Sequence, residues 1–425
     1  MNKSKPKIAI LTIKNSYEYG GVLSCVKVFY KFCEKYFDPT IFVLSFDKEC
    51  STSLRSFKFS SSVKQDTYCG MKCVEIGSRW AFWEPGHYVY TISHWQKALK
   101  DFKYFFVVGG SCISAYPLVQ LNKDFVLWFA ASYQDDRSQR VKKLSWFRYF
   151  IDKFSSNKIK KIEKEILKKV NCVLPLSKDT KLRMEEILKE KRNNVMICNF
   201  PIKHKKFSID LKTKKEKNII AVGRFSDPRK NIKMLFRVFD KLYSKIPELK
   251  LFIIGKKPSD KILKEFSLSL SFKNIVFTGE INGNEIDKFY KCSCLMFITS
   301  YQEGLGIVGL EAFSHGIPVV ATDCGGTREY VINDYNGYLV KVNDDIDMIE
   351  KSLKILSSNE LNSKMGKNAI KFVEQNFSKN KIHSIFKAGL CSVYPDLKKW
   401  FEQCDLIQDS KIIKRTNKLY EDFSN

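Results

Sequence analysis

The sequence predicts an α/β protein with two doubly wound domains that face each other across a cleft. Short apolar runs alternate with longer amphipathic runs along most of the chain, a pattern typical of parallel sheets with helices on both faces. The alternation breaks off in a lysine-rich stretch over residues 203–217 and restarts at residue 218, which indicates two domains. The 425 residues are enough for two sizeable cores.

The first half contains apolar runs that predict buried strands, because they are short and rich in β-branched or aromatic residues. These runs are Ile8–Ile13, Thr40–Phe46, Tyr104–Val108, Phe125–Phe129 and Asn171–Leu174. Helical periodicity predicts helices at Val22–Tyr36, His87–Lys100 and Val141–Val170. Val195–Pro201 is predicted to be the last strand of this half.

The second half repeats strands and helices in strict order. The predicted strands are Asn218–Val222, Lys250–Ile254, Asn274–Phe277, Leu295–Ile298, Pro318–Ala321 and Gly337–Val340. The predicted helices are Asn231–Lys245, Pro258–Leu270, Gly283–Tyr290, Ile346–Leu356 and Leu361–Asn376. We therefore expect a first domain over residues 1–200, a linker over 201–217, a second domain over 218–380 and a helical tail over 381–425. The tail either closes the second domain or folds back across the first.

The net charge of +27 has three open interpretations: a nucleic-acid partner, an anionic membrane surface, or a lysine-rich composition without local meaning. No paired zinc ligands and no basic region with heptads accompany the charge, so nucleic acid is the least favoured partner. Val141–Val170 carries ten basic residues against three acidic ones, with aromatic residues between them. This stretch is either a solvated helix face or a surface for a membrane or an acceptor.

Compartment and anchoring follow from the cysteines and the apolar runs. The thirteen cysteines lack the paired spacing of a zinc site, and reduced thiols of a cytosolic protein explain them best. No signal peptide is indicated, and no apolar run approaches the ~20 residues that span a bilayer. We expect a cytoplasmic protein, either free or peripheral on the inner face of the membrane.

Charged residues follow two of the second-half strands. Glu303 and the glycines Gly304 and Gly306 lie between a strand and a helix, where backbone N–H groups and the helix dipole favour an anion. Arg224 and Lys230 follow an earlier strand, and a guanidinium fork with an ammonium group suits a diphosphate. A second glutamate, Glu311, lies about two helical turns further on, so the two carboxylates should have separate tasks. A second glycine turn, Asp323–Glu329, follows the next strand.

These residues resemble the donor-binding domain of retaining glycosyltransferases of family 4, which have the GT-B fold of two Rossmann-like domains. The resemblance covers residues 218–376 and rests on Gly223-Arg224, Lys230, Glu303 and Glu311 with Ala312, Gly316-x-Pro318, Gly325-Gly326, Glu329 and Asn336-Gly337. The first half matches only in outline, through Gly20-Gly21 and Leu174–Ser177. The resemblance implies transfer of a sugar from a nucleoside-diphosphate sugar, with UDP or GDP, to a glycan or lipid-linked acceptor. It implies retention of the anomeric configuration and no metal or other cofactor.

The resemblance also implies roles for individual residues. Arg224 and Lys230 hold the donor diphosphate and Glu303 binds the transferred sugar, so these three are the predicted catalytic residues. Glu311 holds the ribose, and residues just after Gly279 border the base. Further donor contacts come from Gly20 and Gly21 of the first domain and from the backbone of Gly304, Leu305, Gly306, Ile307 and Val308.

One departure from the family and two alternatives complete the prediction. Many family members place a histidine in the first domain, and Phe125–Asp136 contains none; Asp135 or Asp136 is the candidate for a polar acceptor-side role. A sugar-nucleotide epimerase of the same fold and a non-catalytic basic binding protein remain alternative functions. A serine hydrolase is not indicated, because no nucleophile elbow is present. By family analogy, we expect a role in bacterial surface polysaccharide synthesis, such as lipopolysaccharide, capsule or exopolysaccharide.

Overall fold

The computed structural model describes residues 4–14, 21–47, 49–52, 60–79, 90–134, 146–200, 202, 217–281 and 283–406, and all structural statements concern these residues. Its strands are β1 (Lys7–Ile13), β2 (Asp38–Ser45), β3 (Val63–Tyr68), β4 (Met71–Gly77), β5 (Tyr104–Gly109), β6 (Val126–Phe129), β7 (Cys172–Pro175), β8 (Asn218–Val222), β9 (Lys250–Ile254), β10 (Ile275–Gly279), β11 (Leu295–Ile298), β12 (Val319–Thr322) and β13 (Gly337–Val340).

Helices cover both faces of the sheets that these strands form. They are α1 (Gly21–Tyr36), α2 (Ile92–Leu99), α3 (Tyr116–Gln120), α4 (Trp146–Lys169), α5 (Lys178–Leu188), α6 (Ile232–Lys245), α7 (Asp260–Phe266), α8 (Gly283–Cys292), α9 (Ile307–Ser314), α10 (Asp345–Leu356), α11 (Asn359–Asn376) and α12 (Lys379–Val393). Short 3-10 helices lie at Cys112–Ala115, Pro228–Lys230, Leu270–Asn274 and Gly326–Glu329. A further helix covers residues 397–406.

The first sheet has seven strands in the order β3-β4-β2-β1-β5-β6-β7, and only the β3–β4 pair is antiparallel. Helices on both faces explain why its central strand is almost wholly apolar: Ile8, Ile10 and Leu11 of β1 are completely buried. The chain leaves β1 for β2 on one side and returns as β5 on the other side. The loops after β1 and β5 therefore diverge and leave a crevice at the carboxyl edge of the sheet.

The second sheet has six parallel strands in the order β10-β9-β8-β11-β12-β13. The strand order reverses between β8 and β11, which pair directly with each other. A second crevice therefore lies between the loops that follow β8 and β11. The doubly wound architecture predicted for both halves is confirmed.

The tail lies against the first domain. Phe386 of α12 packs on the rings of Phe29 and Phe106, with centroids 5.0 and 4.5 Å apart. The Tyr394 hydroxyl donates to the carbonyl oxygen of Asp124 (2.7 Å). The chain thus forms part of the first domain again after completing the second sheet.

The two crossings of the chain between the domains touch each other. The N–H group of Ile202, the last described residue before the lysine-rich stretch, donates to the carbonyl oxygen of Phe377 at 3.2 Å. Phe377 is the C-cap of α11, immediately before the tail. The outgoing and the returning chain are therefore hydrogen-bonded at the place where they pass between domains.

Two features of the first half differ from the prediction. The described part of the predicted strand Val195–Pro201 forms only one β-bridge, between Val195 and Val173. The N–H groups of Met196 and Cys198 donate to the carbonyl oxygens of Val173 (3.0 Å) and Pro175 (2.9 Å) of β7, but Pro175 has no N–H group to donate in return. The carbonyl oxygen of Cys198 accepts from the Trp128 indole (2.8 Å). The β3–β4 hairpin was not predicted. Its turn residues Cys69 and Gly70 both have positive φ (51° and 79°), as tight hairpin turns require.

The structure also bears on anchoring and on the cysteines. Among the described helices, none combines the length and the apolar character that crossing a bilayer requires. Within the same part of the chain, no disulfide bond joins any of the cysteines.

Candidate active site

Both crevices open into one cavity of about 420 Å³ between the two domains. The first domain lines it with small and apolar residues, among them Gly21, Gly110 and Trp128. The second domain lines it with charged residues after β8 and β11, including Arg224 and Glu303. The cavity therefore joins the two switch points, where ligands of doubly wound sheets bind.

Lys230 and Glu303 form an ion pair inside this cavity. Lys230 Nζ lies 2.6 Å from Glu303 Oε1, and the side chains are 20% and 14% exposed. The Ser300 hydroxyl donates to the same carboxylate oxygen at 2.6 Å. β8 and β11 are neighbours in the sheet, and this adjacency brings together residues that are 73 positions apart in the chain.

The environment of Glu303 keeps it ionised. Burial alone raises the pKa of the Glu303 carboxyl, but the charge and hydrogen bond of Lys230 and the hydroxyl of Ser300 outweigh this effect. The net pKa of Glu303 lies below the usual range of a glutamate. At neutral pH the group is therefore a hydrogen-bond acceptor for ligand hydroxyls and not a proton donor.

A tight turn aims Lys230 at the cavity. The Asp227 carboxylate caps the turn by accepting from the Arg229 N–H (3.0 Å) and pairs with its guanidinium (2.8 Å). Asn231 then takes a left-handed conformation with φ of 46° before α6 begins. Asparagine tolerates this region better than most residues, and glycine tolerates it best. This requirement explains why an asparagine is suited to this position.

Arg224 lines the same cavity from the carboxyl end of β8, and its side chain is exposed. Gly223, just before it, leaves space for the neighbouring cation: a Cβ atom there would lie 3.1 Å from Lys230 Cε. A guanidinium and an ammonium group thus approach the cavity from the same strand end.

The N-terminus of α9 borders the cavity next to these cations. Its N-cap, Gly306, has φ of 73°, a left-handed conformation that glycine adopts without strain. Tyr330 holds this loop, because its hydroxyl donates to the carbonyl oxygen of Gly306 (2.9 Å). Ile307 and Val308 of the first helical turn line the cavity. The positive end of the helix dipole therefore adds to the cationic side of the site.

The two glycine turns pack against each other and against the first domain. The Gly326 N–H donates to the carbonyl oxygen of Glu303 at 2.9 Å. Gly304 faces the other domain, where a Cβ atom would lie 2.8 Å from the carbonyl oxygen of Ala130. Glycine at this position therefore permits the close approach of the two cavity walls.

Glu311 has a different environment from Glu303. It is partly exposed on α9, and the Tyr290 hydroxyl donates to its Oε2 (3.1 Å). The ring of His315 stacks on Tyr290, with centroids 4.7 Å apart. Burial raises the pKa of Glu311 above its usual value, and the Tyr290 hydroxyl opposes the rise. Glu311 lies beyond the residues that line the cavity, and its ribose-binding role stays a prediction.

The structure brings most of the predicted site residues together. Arg224, Lys230, Glu303, Gly21 and the run 304–308 all line the one cavity. Gly20, Asp135 and Asp136 lie outside the described residues. Among the described residues, no group of three or more histidine, cysteine, aspartate or glutamate side chains is arranged to hold a metal ion.

Sequence reasoning missed Ser300, Tyr290 and Tyr330, which orient the predicted residues. Ser300 was detectable, because a hydroxyl three residues before Glu303 in a strand-end loop can reach its carboxylate. Tyr290 and Tyr330 carry no local signal, since their partners Glu311 and Gly306 are 21 and 24 residues away.

The chain is similar to known proteins in its second half and in its fold. Residues 202–372 match the family described as glycosyl transferases group 1. A trehalose synthase from Thermococcus litoralis is 30% identical over 168 residues, which cover 37% of this chain and 40% of that protein. The match thus spans less than half of the curated relative.

Two solved structures share the whole architecture. Sucrose-phosphate synthase from Thermosynechococcus elongatus has a TM-score of 0.69 at 17% identity, covering 90% of this chain and 97% of that one. HepE from Anabaena, solved in complex with UDP, has a TM-score of 0.68 at 13% identity, covering 91% and 100%. At such low identity the likeness concerns the fold, which is GT-B.

Proposed function

We propose that the protein is a retaining hexosyltransferase, because residues 202–372 match the family described as glycosyl transferases group 1 and the chain has the GT-B fold. It moves a sugar from a UDP- or GDP-sugar to a glycan or lipid-linked acceptor. The observation that carries the proposal is the Lys230–Glu303 pair, which lies with Arg224 and the N-terminus of α9 in one interdomain cavity.

The chemistry of the cavity suits a departing diphosphate. When the bond between the anomeric carbon and the phosphate oxygen breaks, negative charge grows on the diphosphate. Arg224, Lys230 and the α9 dipole stabilise this charge from fixed positions, without reorganisation of water. Glu303, held as a carboxylate, accepts hydrogen bonds from hydroxyls of the transferred sugar. Because these groups offset the charge, we expect turnover to persist in EDTA.

We propose that the acceptor is presented at an anionic membrane surface during bacterial surface polysaccharide synthesis. α4 supports this proposal: Lys158, Lys160 and Lys161 are exposed on it, and Trp146 at its start is 82% exposed. Exposed aromatic and basic residues on one helix are typical of binding to anionic lipid.

Vesicle sedimentation tests the membrane part. Reversing Lys158 and Lys161 to glutamate should release the protein from vesicles containing phosphatidylglycerol. The same reversal of Lys261 and Lys264, which are exposed on α7, is the matched control and should retain binding. Equal binding by both variants contradicts a membrane role for α4.

A donor panel tests the enzymatic part. Each of UDP-glucose, UDP-galactose, UDP-N-acetylglucosamine and GDP-mannose is incubated with the protein, and release of the nucleoside diphosphate is measured. We expect slow hydrolysis of one donor, which Glu303→Gln abolishes. Glu350→Gln, at a position 74% exposed on α10, is the control. Proton NMR recorded before the released sugar mutarotates should show the anomeric configuration of the donor.

Two outcomes contradict the proposal. Conversion of the sugar nucleotide to its epimer, without release of the diphosphate, identifies an epimerase. Absence of both hydrolysis and thermal stabilisation with every donor identifies a non-catalytic binding protein.

A further inference from the structure

A side chain of the second domain caps a helix of the first. α5 begins after Ser177, whose hydroxyl accepts from the Thr180 N–H at 3.1 Å. Glu329 reaches the same helix end from the second domain, and its Oε1 accepts from the N–H groups of Lys178 (2.7 Å) and Asp179 (3.3 Å). Two of the first three N–H groups of α5 therefore bind a carboxylate that belongs to the other domain.

Opposing electrostatic effects act on this contact, which is partly shielded from water. Burial and the neighbouring Asp179 carboxylate raise the pKa of Glu329, and the N–H groups of Lys178 and Asp179 oppose the rise. A carboxylate at a helix N-terminus is stabilised by the helix dipole and by charge-assisted hydrogen bonds. The Glu329 side chain is partly buried. Gly325 lies against α5 as well, since a Cβ atom there would lie 3.1 Å from Asp179 Oδ2. The second glycine turn thus follows the surface of the first domain closely.

Both ends of the contact are attached to a cavity wall. On the first-domain side, Leu176 lines the cavity only two residues before Lys178. On the second-domain side, the 3-10 helix that carries Glu329 begins at Gly326, which packs on the loop of Glu303. A Cβ atom at Gly326 would lie 2.4 Å from Leu305 Cα, so the two backbones are too closely packed to admit a side chain. The distance between the cavity walls is therefore coupled to the Glu329 contact.

We propose that Glu329 is an interdomain latch: a positioning residue that favours the closed cleft by capping α5 from the second domain. When the domains separate, water replaces the carboxylate at the helix end, so the contact stabilises only the closed arrangement. A ligand that touches both walls then binds to a protein that is already closed. Less of its binding free energy is spent on closing the domains, so its affinity is higher. The consequence for the donor rests on the proposed function, whereas the latch itself does not.

Two variants break the contact from opposite sides. Glu329→Ala removes the acceptor. Lys178→Pro removes one donor only, because Lys178 is the first residue of α5, where proline is tolerated and no intrahelical bond is lost. Ser177 is extended (φ −149°, ψ 169°), as the residue before a proline prefers. Lys178→Ala is the matched control, since it removes the same side chain and keeps the N–H group.

The first measurement is small-angle X-ray scattering of the ligand-free protein. Glu329→Ala and Lys178→Pro should increase the radius of gyration, and saturating UDP should reverse the increase. Lys178→Ala should scatter like the unaltered protein. Because this experiment needs no turnover, it tests the latch even if no donor is accepted.

The second measurement separates positioning from a purely structural role. Glu329→Ala should raise the donor KM about fivefold to tenfold and change kcat less than about twofold, since saturating donor restores closure. The double variant with Lys178→Pro should be no worse than Glu329→Ala alone, because both remove one contact. Unchanged scattering and unchanged donor KM in Glu329→Ala overturn the latch and leave the proposed function intact. Failure of every donor with the unaltered protein overturns the function instead.

Discussion

The two walls of the cavity differ in how they can act on a ligand. The second-domain wall carries Arg224 and the Lys230–Glu303 pair next to a helix N-terminus. In the part of the chain that the structure describes, the first-domain wall consists of glycines, alanines and apolar side chains such as Trp128 and Leu176. The second-domain wall can therefore bind a ligand through charge, whereas the first-domain wall acts through its shape and its distance from the ligand. Substitutions should therefore change electrostatic stabilisation on one side and the fit of the walls on the other.

The largest effect is expected where the charged wall loses its central cation. Lys230→Ala leaves the Glu303 carboxylate without its partner and removes positive charge from the leaving diphosphate. We expect kcat/KM to fall about 10³-fold, equivalent to about 4 kcal/mol. Lys233→Ala is the control, because Lys233 lies three residues further on, in the first turn of α6, and pairs with Glu265 on the surface. A loss as small as that of Lys233→Ala would contradict the role of the charged wall.

Arg224 should rank second. Its side chain is exposed at the cavity, so water shields it more than Lys230. Arg224→Ala is expected to lower kcat/KM about 30-fold through loss of a charged hydrogen-bonding partner of the diphosphate. Arg224→Lys keeps the charge without the planar fork and should recover only part of this loss. Steady-state kinetics over a range of donor concentrations measure both, and full recovery by lysine would show that only charge matters.

The fit between the two walls is tested by one glycine from each wall, Gly304 of the second domain and Gly21 of the first. Gly304→Ala places a Cβ atom 2.8 Å from the backbone oxygen of Ala130, so the walls must separate; kcat/KM should fall about tenfold. Gly21→Ala meets only Ile307 Cδ1 at 3.9 Å, an ordinary contact, and should cost about twofold. Kinetics and thermal melting together distinguish misplacement from unfolding. Equal falls in kcat/KM in the two variants would contradict the idea that the close approach at Gly304 sets the distance between the walls.

The smallest effect concerns the two glutamates. If Glu311 binds the ribose as a carboxylate, donor affinity falls as the pH decreases through its raised pKa, whereas Glu303 stays ionised. Tyr290→Phe removes the hydroxyl that lowers the pKa of Glu311, so this pH limb should move to higher pH. Near pH 8 the donor KM should change only about twofold. Donor KM measured from about pH 5 to 8 checks the shift, and an unmoved limb assigns it to another group.

The site could be predicted well where its residues follow strands. Arg224 and Glu303 come directly after apolar runs, and the carboxyl ends of parallel strands meet at one sheet edge. The second half was therefore predicted almost element by element. The order β8-β11 within the sheet, which brings Lys230 to Glu303, follows from the doubly wound topology and not from any local pattern.

Other features could not be predicted, because they depend on contacts between distant parts of the chain. Glu329 was recognised as part of a motif, but its partner α5 lies about 150 residues away in the other domain. Val195–Pro201 has the composition of a strand, and in its described part the N–H groups of Met196 and Cys198 do donate to β7. The ladder does not continue because Pro175 of β7 lacks an N–H group, and the Cys198 carbonyl oxygen accepts from the Trp128 indole. The composition of a segment shows how apolar it is, but it does not show which groups will hydrogen-bond to its backbone N–H and C=O groups.

The return of the tail to the first domain has a consequence for synthesis on the ribosome. Phe386 covers the rings of Phe29 and Phe106, and these rings precede it by hundreds of residues. Domains usually fold in the order in which they emerge. Here the first domain stays incomplete until the second has been made and the chain has passed Phe377. The nascent protein must therefore carry an uncovered aromatic surface until Phe386 has emerged, and α12 then completes the domain that was started first.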